Sequence, residues 1–421
     1  MRRPAQPHLK PRLGLRRPQG LPWERKGGEP PPGSESWNTP WVQLRYFSNH
    51  PHIYPPMIGA VSADAAPGNL VSVYDKEGQH FGAGMFNPRA RVPLRILRHG
   101  AEPPGEACFE NALERALDLR LNLLQLDKQT EAFRVVNSDG DALSGLIVDR
   151  YGEVLSVEVH SLGIYQRLDR ILRVLHDRLG TRRQIIHVDK RIAGIEGISV
   201  DREQPSLRPV RFRENGVRFE VNFETGHKTG FFCDQRDNRL RLSRLVKDRR
   251  VLDLCCYTGG FAVTAGSAGG AGEVTGVDLD EEAIEQAQRN GNLNQQRIRW
   301  VHSDAFSYAR QMQRNGKQWE AIVVDPPKFV SSRDEEAEGR RKYEDLNGLA
   351  MSLTAPNGLL VTCSCSGLVR VEDFEQMVIR AAHRQGRRLQ FLDRTGAASD
   401  HPILSNCLEG RYLKVLWARV L

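Results

Sequence analysis

Arg250-Val-Leu-Asp253-Leu-Cys-Cys-Tyr257-Thr258-Gly259-Gly260-Phe261 is the stretch that decides the fold of the C-terminal half of the chain. Its apolar beginning is typical of a buried strand, and the glycine pair marks a tight turn before a helix. Glycine lets backbone amides approach a ligand closely, and a new helix offers N–H groups that lack intrahelical partners. The stretch therefore predicts a strand, a ligand-binding turn and a helix that begins near residue 260.

Strand and helix patterns alternate from this stretch to the C-terminus. The predicted strands are residues 249–254, 273–278, 298–303, 319–325, 357–363, 388–393 and 411–419. The predicted helices are residues 260–268, 281–294, 305–315, 343–354 and 371–385. This alternation is typical of a doubly wound, Rossmann-like α/β sheet, in which ligands bind at the carboxyl ends of the strands.

Acidic residues recur at those strand ends. Asp278 is placed for ribose hydroxyls, and Asp304, after the next strand, suits an adenine amino group. The chain has neither G-x-x-x-x-G-K-[ST] nor a clean G-x-G-x-x-G, which disfavours a P-loop and counts against NAD. The ordered set of Asp253, Gly259-Gly260, Asp278, Asp304 and Asp325-Pro-Pro resembles the class I S-adenosylmethionine (SAM) methyltransferases.

The resemblance implies SAM as the cofactor and no metal. The cofactor-binding residues that follow from it are Gln235, Arg236, Asp253, Tyr257, Thr258, Gly259, Gly260, Phe261, Asp278, Asp304 and Asp325. For Gln235 and Arg236, a role in helix capping and packing is the open alternative.

A cysteine pair marks the end of a later strand, in Val361-Thr-Cys-Ser-Cys365-Ser-Gly367. The preceding strand ends in Val323-Val-Asp325-Pro-Pro-Lys328-Phe329. Parallel strands end at one rim of a sheet, so an acid, a lysine and a thiol are expected to lie together there. That combination suggests covalent chemistry on an electrophilic ring.

The N-terminal half has a different pattern. Short β-type runs separated by turn formers between Trp41 and Leu97 predict a small β-barrel or sandwich. Its arginines at one end are either solvated strand edges or phosphate contacts: Arg89, Arg91, Arg95 and Arg98. A helix over Cys108–Leu126, several strands and a helix near Gln166–Leu179 then predict a central α+β segment, followed by a hairpin around Asn215-Gly216.

Longer motifs bring the resemblance close to one family, the RlmI-type (YccW-like) large-subunit rRNA cytosine-C5 methyltransferases. These motifs are Gly226-His-Lys-Thr-Gly-Phe-Phe-Cys-Asp234-Gln235-Arg236, Tyr257-Thr-Gly-Gly-Phe-Ala262, Asp325-Pro-Pro-Lys-Phe329, Ser364-Cys-Ser-Gly367 and Asp400-His-Pro402. Val71–Gly78 with Asn87-Pro88 resembles that family's PUA domain, a small RNA-binding barrel, and Asn137–Arg150 resembles its central domain. Cys233, Ser144 and Cys363 depart from the usual residues of the family.

The resemblance implies roles for three residues in forming 5-methylcytosine, an EC 2.1.1 reaction. Cys365 occupies the nucleophile position and would add to C6 of the ring, and Cys363, expected on the same face of the strand, is its rival. Asp325 would hold the N3 side of the ring, with a strand-end cap as its alternative role. Lys328 would orient the base or support the thiolate, with a phosphate contact as its alternative, and His401 as a base is only a guess.

Composition and charge favour a polyanionic partner. The formal net charge is +8, and residues 1–40 carry eight Lys or Arg residues against three Glu, together with nine prolines. This N-terminal stretch is predicted to be disordered, either as a solvated extension or as an electrostatic tether for RNA. The seven cysteines lack zinc-finger spacing, and no apolar run is long enough to span a bilayer, so we expect a cytoplasmic protein.

The predicted organisation has four parts. These are a disordered basic, proline-rich extension (1–40), a PUA-like RNA-binding domain (41–115), a central α+β domain (116–220) and a SAM-dependent methyltransferase domain (221–421). The expected partner is RNA, in particular large-subunit (23S) rRNA, and a homodimer stays open. Three alternatives also stay open: an rRNA guanine N-methyltransferase without a nucleophilic cysteine, a non-catalytic RNA-binding ribosome-assembly factor, and methylation of tRNA or DNA.

Overall fold

The computed structural model describes residues 30–102, 104–200, 208–223 and 230–421. Residues 1–29 of the predicted extension and Gly226–Thr229 of the family motif lie outside the described residues. Three sheets and a separate β-hairpin make up the strands of the described ranges. None of the helices described in these ranges is long and apolar enough to cross a membrane.

A six-stranded sheet forms the N-terminal part. Its strands are β1 (Trp41–Leu44), β2 (His52–Ile53), β3 (Ile58–Val61), β4 (Asn69–Tyr74), β5 (His80–Phe86) and β6 (Leu94–His99), in the order β2-β6-β5-β4-β1-β3. Apolar residues from all six strands share one core. Trp37, which falls in the predicted extension, stacks on Tyr74 with ring centroids 4.1 Å apart. The packed part of the chain therefore begins before residue 41.

A four-stranded sheet and three helices form the central part. The elements are α1 (Ala107–Asp118), β7 (Ala132–Asn137), β8 (Leu146–Tyr151), β9 (Val154–Val159), α2 (Leu162–Leu179), β10 (Arg183–His187) and α3 (Lys190–Glu196). The helix predicted over Cys108–Leu126 is α-helical only to Asp118, and a π-helical turn, Leu119–Leu123, continues it. The apolar faces of α1 and α2 pack with β7, β8 and β9 in one core.

A hairpin of β11 (Val210–Glu214) and β12 (Val217–Val221) joins the central part to the C-terminal domain. It turns at Asn215-Gly216, as predicted. Its Glu214 forms a buried ion pair with Arg239, Nε to Oε1 at 2.7 Å. Arg239 also lies over the ring of Phe231, 4.4 Å from the centroid. This pairing fixes the chain on either side of Phe231, where a large cleft begins.

The C-terminal domain is a seven-stranded sheet flanked by helices. Its elements are α4 (Arg236–Ser243), β13 (Arg250–Leu254), α5 (Gly260–Ser267), β14 (Glu273–Asp278), α6 (Glu281–Leu293), β15 (Arg299–His302), α7 (Ala305–Arg314), β16 (Trp319–Val324), α8 (Glu336–Leu353), β17 (Thr354–Ser364), α9 (Val371–Arg384), β18 (Leu389–Thr395) and β19 (Lys414–Val420). The strand order is β15-β14-β13-β16-β17-β19-β18. The first five strands run parallel, and β19 pairs antiparallel with both β17 and β18.

This sheet confirms the predicted Rossmann-like fold class. Strand order reverses at β13, so the crevice at its carboxyl end lies between the two halves of the sheet. The main difference is α8, which begins seven residues before the predicted 343, since a charged first turn from Glu336 hides its helical period. The antiparallel placement of β19 between β17 and β18 brings residues 412–414 beside the end of β17.

Candidate active site

A cleft of about 960 Å³ opens at the carboxyl ends of β13, β14, β16 and β17. One end of it is lined by the strand-end residues of the C-terminal sheet, such as Tyr257 and Asp278. The other end is lined by the central sheet, through Arg134 and Asp139, and by His52 of the N-terminal sheet. The part lined by the C-terminal strand ends is called the cofactor end of the cleft, and the part lined by the central and N-terminal sheets is called its mouth.

The glycine turn after β13 has a left-handed backbone that its neighbours hold in place. Gly259 has φ +82°, and a Cβ atom there would lie 2.7 Å from the ring of Trp300. Asp278 Oδ2 accepts the backbone N–H of Tyr257 at 2.8 Å, which ties the turn to the end of β14. Only glycine fits such a position without moving Trp300.

Asp253 fixes the start of α5, which follows this turn, through a hydrogen bond to the backbone. The carboxyl is fully buried, and its Oδ2 accepts the N–H of Ala262 at 3.0 Å. Burial, reinforced by the nearby Asp325, raises the pKa of Asp253 well above its usual range. It does not line the cleft, and neither do Thr258, Gly259, Gly260 or Phe261; the predicted cofactor residues that do line it are Gln235, Tyr257, Asp278, Asp304 and Asp325.

The residues at this end fit SAM. Asp278 and Asp304 are acceptors for hydroxyl and amino groups, and both open on the cleft. The rings of Phe306 and Phe329 add apolar wall, with centroids 6.2 Å apart. Tyr257, in the turn before Gly259, also lines this end, so the turn borders the space where a cofactor would lie.

Arg236, predicted at the cofactor, takes part in a buried ion pair. It is buried, and its Nη1 donates to Asp400 Oδ2 at 2.6 Å. Asp400 also accepts the backbone N–H of Arg134 at 2.8 Å and pairs with His401 Nδ1 at 2.9 Å. Its ion pairs hold the pKa of Asp400 below the usual range despite burial. This ion pair agrees with the packing role left open for Arg236, and a contact of Arg236 with the cofactor stays a prediction.

The same network contains His401, which the sequence offered as a possible base. His401 is buried against Asp400 and does not line the cleft. Pro402, the next residue, does line it, and its carbonyl accepts Asn137 Nδ2 at 3.0 Å. The segment Asp400–Pro402 therefore ties the C-terminal domain to the central part and shapes one wall.

Asp325 lines the cleft directly after the end of β16. Gln235 Nε2 donates to its Oδ2 at 3.0 Å, and Asn238 Nδ2 donates to Gln235 Oε1 at 2.7 Å, so the amide is fixed. Burial, followed by the charge of Asp234, raises the pKa of Asp325 to about 7, although Gln235 lowers it. A carboxyl with this pKa can be protonated at neutral pH and can donate a hydrogen bond.

The two cysteines of the pair have different surroundings. Cys365 lies one residue beyond β17 and lines the cleft. Cys363 is fully buried within β17 and packs in the sheet core. Burial, with Asp325 and then Asp234, raises the pKa of Cys365 to about 11, whereas Lys414 lowers it. A thiol in this environment needs a nearby cation to ionise.

Lys414 is that cation, and the sequence did not single it out. Lys414 is buried at 4% exposure and lies opposite Ser364 in the pairing of β17 with β19. Its Nζ donates to the carbonyls of Ser366 at 2.6 Å and Tyr412 at 2.8 Å. Burial lowers the pKa of Lys414 to about 8. The predicted cation, Lys328, is exposed and does not line the cleft, and its role stays a prediction.

Asp234 is the second residue that sequence reasoning missed. It lines the cleft beside Gln235, and its Oδ2 accepts the hydroxyl of Tyr412 at 2.6 Å. The family resemblance implied roles only for its neighbours Gln235 and Arg236. The signal available was the acidic residue within Phe-Cys-Asp-Gln-Arg, although its partner Tyr412 lies 178 residues away in the chain.

Comparison with known proteins identifies two regions. Residues 202–413 match a family model described as S-adenosylmethionine-dependent methyltransferase. Residues 42–99 match a model described as PUA-like domain. These matches agree with the fold class predicted for the two ends of the chain.

Curated relatives match along most of the chain. A ribosomal RNA large subunit methyltransferase I from Klebsiella pneumoniae is 34% identical over 383 residues, which are 88% of this chain and 94% of the relative. The protein of the same name from Pseudoalteromonas atlantica is 35% identical over 390 residues, 91% of this chain and 98% of that one.

Solved structures share the fold. A protein described as a methyltransferase, complexed with SAH, aligns with a TM-score of 0.70 and 23% identity over 84% of this chain and 91% of its own. A protein described as SAM-dependent, from Streptococcus mutans, aligns with a TM-score of 0.72 and 21% identity over 90% of this chain and 100% of its own.

Proposed function

Because the chain belongs to the family of ribosomal RNA large subunit methyltransferase I, within the SAM-dependent methyltransferases, we propose that it forms 5-methylcytosine in large-subunit rRNA. The observation that carries the proposal is one cleft in which Cys365 and Asp325 lie together at the strand ends beside the glycine turn. Bound SAM would supply an electrophilic methyl group. The chain's own residues would then have to make the cytosine ring nucleophilic.

Covalent addition solves that problem. Carbon 5 of cytosine is a weak nucleophile, and attack of the Cys365 thiolate on C6 converts the ring to an enamine whose C5 is nucleophilic. The exposure of Cys365 to the cleft supports this role. The full burial of Cys363 makes Cys363 a less suitable nucleophile. An N-methyltransferase of guanine would not need a thiol at this place.

Asp325 supports the same step from the other side of the ring. Addition to C6 places negative charge on N3 and O2, and a protonated carboxyl at N3 stabilises that charge. The pKa of about 7, raised mainly by burial, makes the protonated form available at neutral pH. Lys414 stabilises the thiolate before attack, since it is a buried cation beside Ser366.

Exposed aromatic residues near the mouth of the cleft support RNA as the substrate. Tyr46, Phe47 and Tyr54 are exposed by 63%, 64% and 43%, and they flank His52, which lines the cleft, in the sequence. Arg45 beside them is exposed as well. Aromatic rings with nearby positive charge are the surface on which unpaired bases stack.

The test is methylation of purified large-subunit rRNA with SAM, read as 5-methylcytosine by bisulfite sequencing. We expect one methylated cytosine with the wild-type protein, none with Cys365→Ala, and near wild-type product with Cys363→Ala. Methylated guanine in place of 5-methylcytosine would favour the N-methyltransferase alternative. Full activity of Cys365→Ala would contradict the covalent step.

A further inference from the structure

The proposed reaction leaves one proton without an acceptor. When a thiolate adds to C6 and the methyl group adds to C5 from the opposite face, the C5 hydrogen ends on the same face as the sulfur. Its removal re-forms the aromatic ring and expels the thiol. The acceptor must therefore lie on the Cys365 side of the cleft, close to both Cys365 and the ring.

Most carboxylates of the cleft are occupied elsewhere. Asp139 and Glu409 lie at the mouth and contact histidines, His52 at 2.9 Å and His50 at 3.3 Å. Glu158, also at the mouth, lies 3.4 Å from the ring nitrogen of His160. None of these three carboxylates is among the charges that act most on the Cys365 thiol.

The carboxylates at the cofactor end are tied to the backbone. Asp278 accepts the N–H of Tyr257 at 2.8 Å, and Asp304 accepts the N–H of Ser307 at 2.9 Å. Asp280 caps α6 through the N–H of Glu282 at 3.0 Å. Asp325 is the hydrogen-bond donor proposed for N3, so Asp234 is the remaining carboxylate of the cleft.

Asp234 is built into the frame around the thiol. Tyr412 donates to its Oδ2 at 2.6 Å, and the carbonyl of Tyr412 binds the same Lys414 ammonium that binds the carbonyl of Ser366. Ser366 follows Cys365 directly. A chain of hydrogen bonds through Tyr412 and Lys414 therefore connects Asp234 to the backbone next to Cys365. The other oxygen of Asp234, Oδ1, is buried and has no hydrogen-bond partner within the described part of the chain.

Electrostatics place Asp234 near both reacting groups. After burial, its charge is the largest cause that raises the pKa of Asp325. After burial and Asp325, it also raises the pKa of Cys365. Lys414 has the opposite effect and lowers the pKa of Cys365. Lys328 lowers the pKa of Lys414.

We propose that Asp234 is the general base that accepts the C5 proton, and this inference rests on the proposed cytosine-C5 reaction. Once C5 carries the methyl group, the carboxylate of Asp234 takes the proton. The C5–H electron pair re-forms the C5=C6 bond, and the C6–S bond breaks so that Cys365 leaves as a thiolate. Tyr412 acts as a positioning residue that orients the carboxylate.

Loss of this base should trap the reaction after methyl transfer. With radiolabelled methyl-SAM and large-subunit rRNA, Asp234→Asn is expected to accumulate a protein–RNA complex that carries the label and survives SDS. Turnover should fall by at least ~100-fold, the range typical of a lost general base. The wild type should release methylated RNA with little lasting complex, and Asp234→Asn with Cys365→Ala should form none.

Asp237→Asn is the matched control, since Asp237 lies on the same segment outside the cleft lining and should keep wild-type turnover. Calorimetry of SAM binding checks the fold, and if Asp234→Asn does not fold, Asp234→Ala, which also lacks the carboxylate, should accumulate complex. Absence of the complex in a folded variant, or turnover within a few-fold of wild type, would overturn the role of Asp234. Failure of the wild type to make 5-methylcytosine would instead overturn the proposed function.

Discussion

Lys414 is a buried cation without a carboxylate partner among the residues that the structure describes. Its Nζ donates to the carbonyls of Ser366 and Tyr412, and burial lowers its pKa to about 8. A cation in such a place is destabilising by itself. Beside Cys365, however, the ammonium stabilises the thiolate relative to the thiol.

Replacement of Lys414 by Met should make Cys365 harder to ionise. Lys414 lowers the pKa of this thiol against burial and two carboxyls, so its loss should move the alkylation profile with iodoacetamide to higher pH. At a pH below the pKa of the thiol, a rise of that pKa by one lowers the thiolate fraction roughly tenfold. Mass spectrometry of the Cys365 peptide measures the alkylation rate at each pH. Lys414→Arg keeps a positive charge and should retain the wild-type pH profile of alkylation. An unchanged pH profile in Lys414→Met would rule out this role of Lys414.

Asp325 should make the stability of the protein depend on pH. Its folded pKa of about 7, raised mainly by burial, exceeds its ordinary 3.8, so the stability it contributes is complete below 3.8 and is lost as pH rises through 7. Relative to Asp325→Asn, the wild type should lose on the order of 3 kcal/mol of unfolding free energy between pH 4 and 8. Urea unfolding of both proteins measures the difference, and parallel pH profiles would contradict it.

At the scale of elements, the turn between β13 and α5 is the structure on which the cofactor end depends. Gly259 begins α5 with a left-handed backbone, and the ring of Trp300 closes the space beside it. A side chain there must adopt an unfavourable φ and also displace a packed ring. The two effects can be separated, because another glycine of the chain has a positive φ but no packed ring beside it.

Gly259→Ala should lower SAM affinity by more than tenfold and destabilise the domain. Gly316→Ala is its control: Gly316 has φ +64°, but open space lies where its Cβ would be. The control should lose only the ~1 kcal/mol of a left-handed alanine and keep its SAM affinity. Calorimetry and thermal unfolding of both variants measure this, and equal SAM affinities would show that the turn tolerates a side chain.

Elements were predictable from sequence where local pattern controls them. β13 and β14 lie within one residue of their predicted bounds because apolar runs and glycine turns are local signals. The sites of Lys414 and Asp234 were not predictable in this way. Both depend on β19 returning antiparallel to β17, which places Tyr412 and Lys414 beside Cys365, and strand pairing over such a separation leaves no periodic trace.

At the scale of the whole molecule, one cleft is assembled from all three parts of the chain. Asp400 and Pro402 fasten the C-terminal domain to the central sheet through Arg134 and Asn137. His52 of the N-terminal sheet binds Asp139 of the central part at 2.9 Å. The N-terminal sheet is thereby held at the mouth of the cleft, where its exposed aromatic residues can meet RNA that leads to the target base.

Removal of two of these rings should weaken RNA binding without changing its salt dependence. Stacking contributes ~1–3 kcal/mol per base, so Tyr46→Ala with Phe47→Ala should lower rRNA affinity by ~30-fold or more. The slope of affinity against salt should not change, because no charge is lost, whereas Arg45→Ala should lower that slope by about one.

Leu123→Ala is the matched control for these rings, since Leu123 is 73% exposed on the central part, away from the cleft lining. It should keep wild-type affinity for rRNA, and all of these variants should keep wild-type affinity for SAM. Filter binding of large-subunit rRNA at several salt concentrations separates stacking from phosphate contacts. Equal rRNA affinity of the aromatic double variant and the wild type would mean that RNA enters the cleft by another face, and the arginines Arg89 and Arg91, exposed on the N-terminal part, would then be the next positions to replace.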